Sequence, residues 1–363
     1  MLDFDLEKFI VNVFSPQRGE KVLIMYDTPH GSIVINRDWE ERMSMAKEWK
    51  EGLSKISKKH GFEVEDILLY DATGVHNGQL PEFGRMGNNK VRLEEALRDV
   101  DICISMTEFS ATAPLANIAE SGNRLRLASM PGVGRSMEKT ALTANHSLVA
   151  KKCSVLTSKL TEAIGASILF STGHMLYVDL RKRVAESDDG ICQKVGAVIN
   201  LPSGESFIAP YEGEDKKLGE SLTSGCIPLK INNEILVYSV RKNKIIEIEG
   251  EGLETEKKRK FFSADTGRRN IAELGLGVND KAIISGNVLE DEKVGPHIGS
   301  GRSDHIGGKI GVADFEKPEN VTHHDDVFAK GCPIEITFLM LHYSDKRNEI
   351  IIRNGDYVKS LFD

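Results

Sequence analysis

The sequence predicts an α/β protein in two parts, a Rossmann-like N-terminal α/β domain followed by a mainly β (α+β) domain. Two observations predict it. Over the first half, short apolar runs take turns with charged amphipathic stretches, as in parallel strand–helix–strand units. Near residue 185 the texture changes, and short β-type segments with glycine-rich turns dominate from there on. The polar, turn-rich stretch Ala185-Glu186-Ser187-Asp188-Asp189-Gly190 marks the boundary, giving domains 1–185 and 186–363. A chain of 363 residues is long enough for two separate cores.

In chain order, K-V-L-I-M-Y (21–26) follows Arg18-Gly19-Glu20 and reads as a buried strand, because a short unbroken apolar run has no polar face. Residues 38–60 are charged but set Met43, Ala46, Trp49, Leu53 and Ile56 at helical spacing, which predicts an amphipathic helix. D-I-L-L-Y (66–70) predicts the next strand and R-L-E-E-A-L-R (92–98) the next helix. V-D-I-C-I-S-M (100–106) and R-L-R-L-A-S-M (125–131) predict two more strands. A helix over about 137–163 and the run S-I-L-F-S (167–171) extend the alternation. Beyond the boundary, G-A-V-I-N (196–200), E-I-L-V-Y-S-V (234–240) and K-I-I-E-I-E (244–249) predict strands, and residues 254–264 a helix. I-E-I-T-F-L-M-L (334–341) and E-I-I-I-R-N-G-D (349–356) predict a closing antiparallel pair.

Composition excludes several classes of function. A net charge of −8 argues against nucleic acid as a partner, since phosphate binding needs a positive surface. The basic run Lys257-Lys258-Arg259-Lys260 follows Glu254 and Glu256 and reads as a solvated helix face. No apolar run of about 18 residues occurs, so no membrane span is expected. The five cysteines are scattered without a C-x-x-C pair, which fits a reducing compartment and offers no thiolate zinc site. The N-terminal M-L-D-F-D-L-E-K-F has acidic residues where a secretory signal has basic ones, so a cytoplasmic location is expected.

The chemistry concentrates late in the chain. Four of the ten histidines (His297, His305, His323 and His324) fall within a window rich in aspartate and glutamate. Imidazole and carboxylate without thiolate suit a hard-to-borderline divalent ion. In V-T-H-H-D-D-V-F (321–328), a strand would set either His323 with Asp325 or His324 with Asp326 on one face. Periodicity does not choose between the pairs, since each face carries an apolar neighbour. H-I-G-S-G-R-S-D-H-I-G-G (297–308) has small residues that let backbone approach a ligand, yet it is neither a P-loop nor a dinucleotide fingerprint. Glu273 and Glu205 each stand beside apolar, glycine-containing segments, and a half-buried carboxylate needs a partner such as a metal.

These motifs together resemble the aminopeptidase T/aminopeptidase S family of metallo-aminopeptidases. N-L-P-S-G-E-S-F-I-A-P (200–210) is similar to its P-x-G-E-x-F-x-A-P stretch, and A-E-L-G-L-G-V-N (272–279) to its second glutamate motif. L-E-D-E-K-V-G-P-H-I-G-S-G (289–301) is similar to its D-E-K…G-x-x-H segment. H-x-D followed by apolar residues fits His324 to Phe328, and S-M-P-G (129–132) adds a fainter match in the first half. The resemblance implies that Glu205, Glu273, His297, His324 and Asp326 ligate two divalent ions (Zn, Co or Mn). It implies that Glu273 also carries a proton from the activated water to the leaving amine. The activity implied is that of a leucyl-aminopeptidase-like hydrolase releasing N-terminal residues from small peptides, in a homodimer. One position departs from the pattern: the family's tyrosine seven residues after the loop histidine is here Asp304, and an ionised aspartate repels an oxyanion. The related 2,5-dihydroxypyridine 5,6-dioxygenases imply the alternative, one Fe(II) held by His297, His324 and Asp326 and opening the ring of a small-molecule substrate.

Overall fold

The computed structural model describes residues 4–121 and 124–363; Met1, Leu2 and Asp3 of the N-terminal stretch lie outside the described residues. It is a mixed α/β protein, with three sheets among the described residues, two of eight strands and one of five. The residues group into two compact units. The first holds 1–150, 188–204 and 279–293, and the second 151–187, 205–278 and 294–363. The expected single division at 185/186 is therefore corrected, because the chain passes between the units repeatedly.

The first unit is built on the strand Lys21–Thr28, which pairs in parallel with Leu68–Asp71 on one side and Ile102–Ser105 on the other. Arg126–Ser129 follows beside Ile102–Ser105, also in parallel. The strand is buried on both faces, so its apolar residues divide by parity between two cores. Val22, Ile24 and Tyr26 pack with Phe9, Ile10, Met45, Trp49 and Leu53. Leu23 and Met25 pack with Leu93, Leu97, Leu115 and Leu127. The long helix Arg37–His60 begins where the Asn36 side chain accepts a hydrogen bond from Trp39 N, and it ends at Gly61, with a φ of 83°. Its acidic first turn and basic last turn complement the helix dipole.

Two predicted segments joined other partners. Val198–Asn200, expected in the β domain, pairs in parallel with Arg126–Ser129 and extends the first unit's sheet. The helix expected from about 137 starts at His146, after the short 3-10 turns Arg135–Glu138 and Ala141–Thr143. Asn145 sets that start, its side chain accepting from Leu148 N at 3.2 Å. All but the last residue of the run at 167–171 lies in Ala163–Phe170, which is antiparallel to Met175–Asp179 rather than part of the parallel alternation. A tight turn through Gly173 (φ 84°) leaves no room for a crossover helix, so the pair has to be antiparallel.

In the second unit, Ala163–Phe170 and Met175–Asp179 lie mid-sheet in an eight-stranded antiparallel sheet. Ser224–Ile231, Glu234–Arg241 and Lys244–Glu249 extend it on one side, and Ile336–Tyr343 with Asn348–Arg353 on the other. The turn Lys242-Asn243 joining two of these strands has positive φ at both residues, the twist that suits a two-residue hairpin. The five-stranded sheet sets Glu205–Ile208, Ile271–Gly277, Pro296–Gly301 and His323–Val327 side by side, all antiparallel. Among the described residues no helix is long and apolar enough to cross a membrane.

Candidate metal centre

Four neighbouring strands of the five-stranded sheet bring five titratable side chains onto one face. Two overlapping groups have ligand atoms within 4.8 Å of one another, Glu205 with Glu273 and His297, and Glu273 with His323 and Asp325. Glu273 belongs to both. Its Oε1 lies 3.1 Å from His297 Nε2, and its Oε2 lies 3.1 Å from His323 Nε2. Glu205 Oε2 stands 3.4 Å from His297 Nε2, and Asp325 Oδ1 3.3 Å from His323 Nε2. His297 is fully buried, and Glu205 and Glu273 are 5% and 6% exposed.

The register explains the meeting. Each of the five side chains stands opposite a glycine on the neighbouring strand. Glu205 faces Gly277, His297 faces Gly275, Glu273 and Asp325 face Gly299, and His323 faces Gly301. Those glycines leave the room that the ligand side chains converge on. A Cβ at Gly275 would come within 1.9 Å of His297 Nε2, and one at Gly299 within 2.7 Å of Asp325 Oδ1 and 2.8 Å of Glu273 Cβ. A bulge between Ile271 and Glu273 re-aims the strand just before Glu273.

The pairing also corrects the inward pair in residues 321–328. Val327 lies opposite His297, so His323, Asp325 and Val327 share its face, while His324 and Asp326 point to the other side of the sheet. The His324 side chain is 44% exposed, with its Nε2 3.3 Å from Lys258 Nζ and 3.5 Å from Asp326 Oδ1, away from the cluster. Glu205, Glu273 and His297 come together as expected, but His324 and Asp326 do not join them. The spacing H-x-D is met equally by residues 323–325 and 324–326, and strand pattern alone does not separate them.

Several features suit this face to cations. His297 Nδ1 lies 3.2 Å from the carbonyl of Gly295, and His323 Nδ1 2.7 Å from the carbonyl of Arg302. A carbonyl only accepts, so each Nδ1 carries the hydrogen and each Nε2 is aimed at the carboxylates, the arrangement that orients metal-binding imidazoles. Asp325 Oδ1 is buried and stands 3.3 Å from His323 Nε2 in an ion-pair contact. Burial opposes charge at Glu273, yet hydrogen bonds from His297 and His323 outweigh it and hold this carboxyl well below the usual range. Burial likewise opposes charge on His297, but Glu273 and Glu205 raise it to about 10. His323 is raised well above its ordinary value by Asp325 and Glu273, against its own burial. Three carboxylates therefore call for positive charge here, which divalent ions would supply with both imidazoles neutral.

Sequence reasoning missed the neighbours that support the face. The Glu212 side chain is buried and accepts from Asn270 Nδ2 (2.8 Å), Ser303 Oγ (2.5 Å) and Lys309 N (2.6 Å), tying down the 302–310 loop. It also pairs with buried Arg183 at 3.1 Å. Its sequence context, Y-E-G-E, carries no signal that would have singled it out. Asp304, at the position of the expected tyrosine, is held in an ion pair by Arg302. His305 follows it and stacks edge-on against His323, with ring centroids 5.0 Å apart.

Two solved structures share this fold over nearly the whole chain. The 2,5-dihydroxypyridine dioxygenase from Pseudomonas putida KT2440 is similar with a TM-score of 0.64 at 17% identity, covering 98% of this chain and 97% of that one. Wild-type AmpT (aminopeptidase T) from Thermus thermophilus is similar with a TM-score of 0.58 at 14% identity, covering 97% of this chain and 98% of that one. No protein-family model matches the sequence, and no curated protein matches it either.

Proposed function

We propose that this chain is a metal-dependent hydrolase of the aminopeptidase kind, a cytoplasmic homodimer releasing N-terminal residues from small peptides. The observation that carries the reading is Glu273, shared by two adjacent donor groups. A carboxylate with one oxygen toward each group suits two ions held close together, whereas a single ion needs only one such group. Glu205 and His297 would complete one position, and His323 and Asp325 the other. Bound there, two divalent ions such as Zn, Co or Mn would acidify a shared water and polarise the scissile carbonyl. We assign Glu273 the further task of carrying the water's proton to the leaving amine, since it stands between both groups. The parallel order of the first unit supports a Rossmann-like layer as the other half of the architecture.

A second reading has its own support. His297, His323 and Asp325 are two imidazoles and a carboxylate on one face, a set that also suits one Fe(II), and the fold is similar to a dioxygenase over its whole length. The hydrolase is preferred because the close groups divide those three residues between them and both include Glu273. Anaerobic purification with elemental analysis, followed by assays on leucine p-nitroanilide and on 2,5-dihydroxypyridine, separates the two. Two equivalents of Zn, Co or Mn with release of nitroaniline are expected. One equivalent of iron with oxygen uptake on the pyridine would sink the hydrolase.

A further inference from the structure

The loop after the Pro296–Gly301 strand brings one more imidazole onto the cluster. His305 lies in the short turn Asp304–Ile306, its ring 5.0 Å from that of His323 with the planes at 85°. The five clustered side chains are mostly enclosed, but His305 is 37% exposed, as a group that meets an arriving substrate must be. Among the described residues no hydrogen bond reaches its ring. Asp304 Oδ1, the nearest carboxylate oxygen, stands 3.7 Å from His305 Nδ1, beyond hydrogen-bonding distance, and is engaged by the Arg302 guanidinium. The N–H of His305 is therefore uncommitted.

Its position is fixed nonetheless. Ser303 N and Asp304 N both donate to the carbonyl of Ile310, at 2.9 and 3.1 Å, closing the loop on itself. Ser303 Oγ and Lys309 N both donate to Glu212, which anchors the loop at two points. A donor held in place before the reaction costs no reorganisation when charge develops, which is what makes such groups effective.

We propose that His305 donates the hydrogen bond that stabilises the oxyanion of the tetrahedral intermediate, a task Asp304 is unable to perform. The inference rests on the hydrolase reading. In the step concerned, the water oxygen bonds to the carbonyl carbon and the C=O π pair moves onto the oxygen that His305 faces. One water proton passes to Glu273. Collapse re-forms the C=O bond and breaks the C–N bond, and the amine leaves with the proton that Glu273 held. An imidazole offers an N–H in either protonation state, so the donor is present throughout.

The test compares wild type, His305→Ala and His305→Gln, each loaded with Zn. It measures hydrolysis of leucine p-nitroanilide, bound metal by elemental analysis, and calorimetric affinity for a phosphinate dipeptide and for free leucine. The phosphinate oxygens imitate the oxyanion, whereas leucine does not. His305→Ala is expected to lower kcat about 10²–10³-fold with little change in KM, the usual loss on removing one such donor. Phosphinate affinity should fall with kcat while leucine affinity and bound metal stay at wild-type levels. The amide donor of His305→Gln should restore part of both losses. Undiminished kcat or phosphinate affinity in His305→Ala overturns the proposal, and so does loss of metal, which would make His305 a support for His323. A wild type that neither cleaves the substrate nor binds the phosphinate overturns the hydrolase reading, and this proposal with it.

Discussion

His323 and His324 are adjacent in sequence and differ in surroundings because a strand sends alternate side chains to opposite faces. The first meets Glu273 and Asp325 in a nearly closed face, and the second meets Lys258 near solvent. His323→Ala and Asp325→Ala are therefore expected to lose bound metal by more than about a hundredfold in affinity, beyond what removing an outer supporting partner costs. His324→Ala and Asp326→Ala should keep it. Metal content after dialysis against a graded chelator checks both halves, and retention in the first pair with loss in the second would return the inward role to residues 324 and 326. His146 obeys a different rule, since it is 2% exposed and its ring nitrogens have no hydrogen-bond partner among the described residues. Burial first, and Lys8 second, depress it from an ordinary 6.5 to about 4. Between those values the unfolded chain binds a proton that the folded one does not, so stability falls as the pH drops through that window. The difference is worth about 3 kcal/mol at most, and His146→Leu should flatten it in denaturant titrations run from pH 7 to pH 4. An unchanged slope would show that this ring is not the titrating group.

Periodicity made many of the strands and helices legible, because burial on one face or on two leaves a pattern in the residues themselves. The run at 22–26 is apolar throughout because both of its faces are covered, and the helix at 37–60 is amphipathic because one side is wet. Register left no such trace, and the site depends on register. H-I-G-S-G sets His297, Gly299 and Gly301 on one face, yet nothing in the sequence says which residue of 323–327 lies opposite which. Only pairing across strands shows that each glycine makes room for a titratable neighbour. The loop at 302–310 was equally opaque, since Glu212, its anchor, lies about 90 residues away in sequence. Removing that anchor leaves buried Arg183 without one of its charge partners and Asn270, Ser303 and Lys309 N without their acceptor. Glu212→Ala should cost about 3–5 kcal/mol, the usual penalty for breaking one side of a buried ion pair. Urea unfolding measures it, and a loss below about 1 kcal/mol, the range of exposed pairs, would mean that the pair is solvated.

The two units are interleaved along the chain, and that interleaving decides how the molecule comes apart. A division at 185/186 would assign the whole metal-binding face to residues 186–363, as the sequence texture implied. In the second unit, however, Ala163–Phe170 and Met175–Asp179 are the middle of the eight-stranded sheet. Ala163–Phe170 pairs with Ile336–Tyr343, and Met175–Asp179 with Ser224–Ile231. Deleting them leaves two groups of three strands with no ladder between them, each with a new edge of unpaired backbone groups and uncovered apolar side chains. Leu339 and Leu341, fully buried in the intact chain, would lose the neighbours that cover them from Ala166 and Ile168. The fragment 186–363 is accordingly expected not to fold and to aggregate, although it contains all five clustered side chains. A fragment is also expected to bind metal far more weakly, since a site assembled from four strands has no preformed geometry in a chain that does not fold. Circular dichroism and size-exclusion chromatography of the fragment, with and without added zinc, test this. A monodisperse β-rich species with a cooperative thermal transition would show that the mid-sheet strands are dispensable.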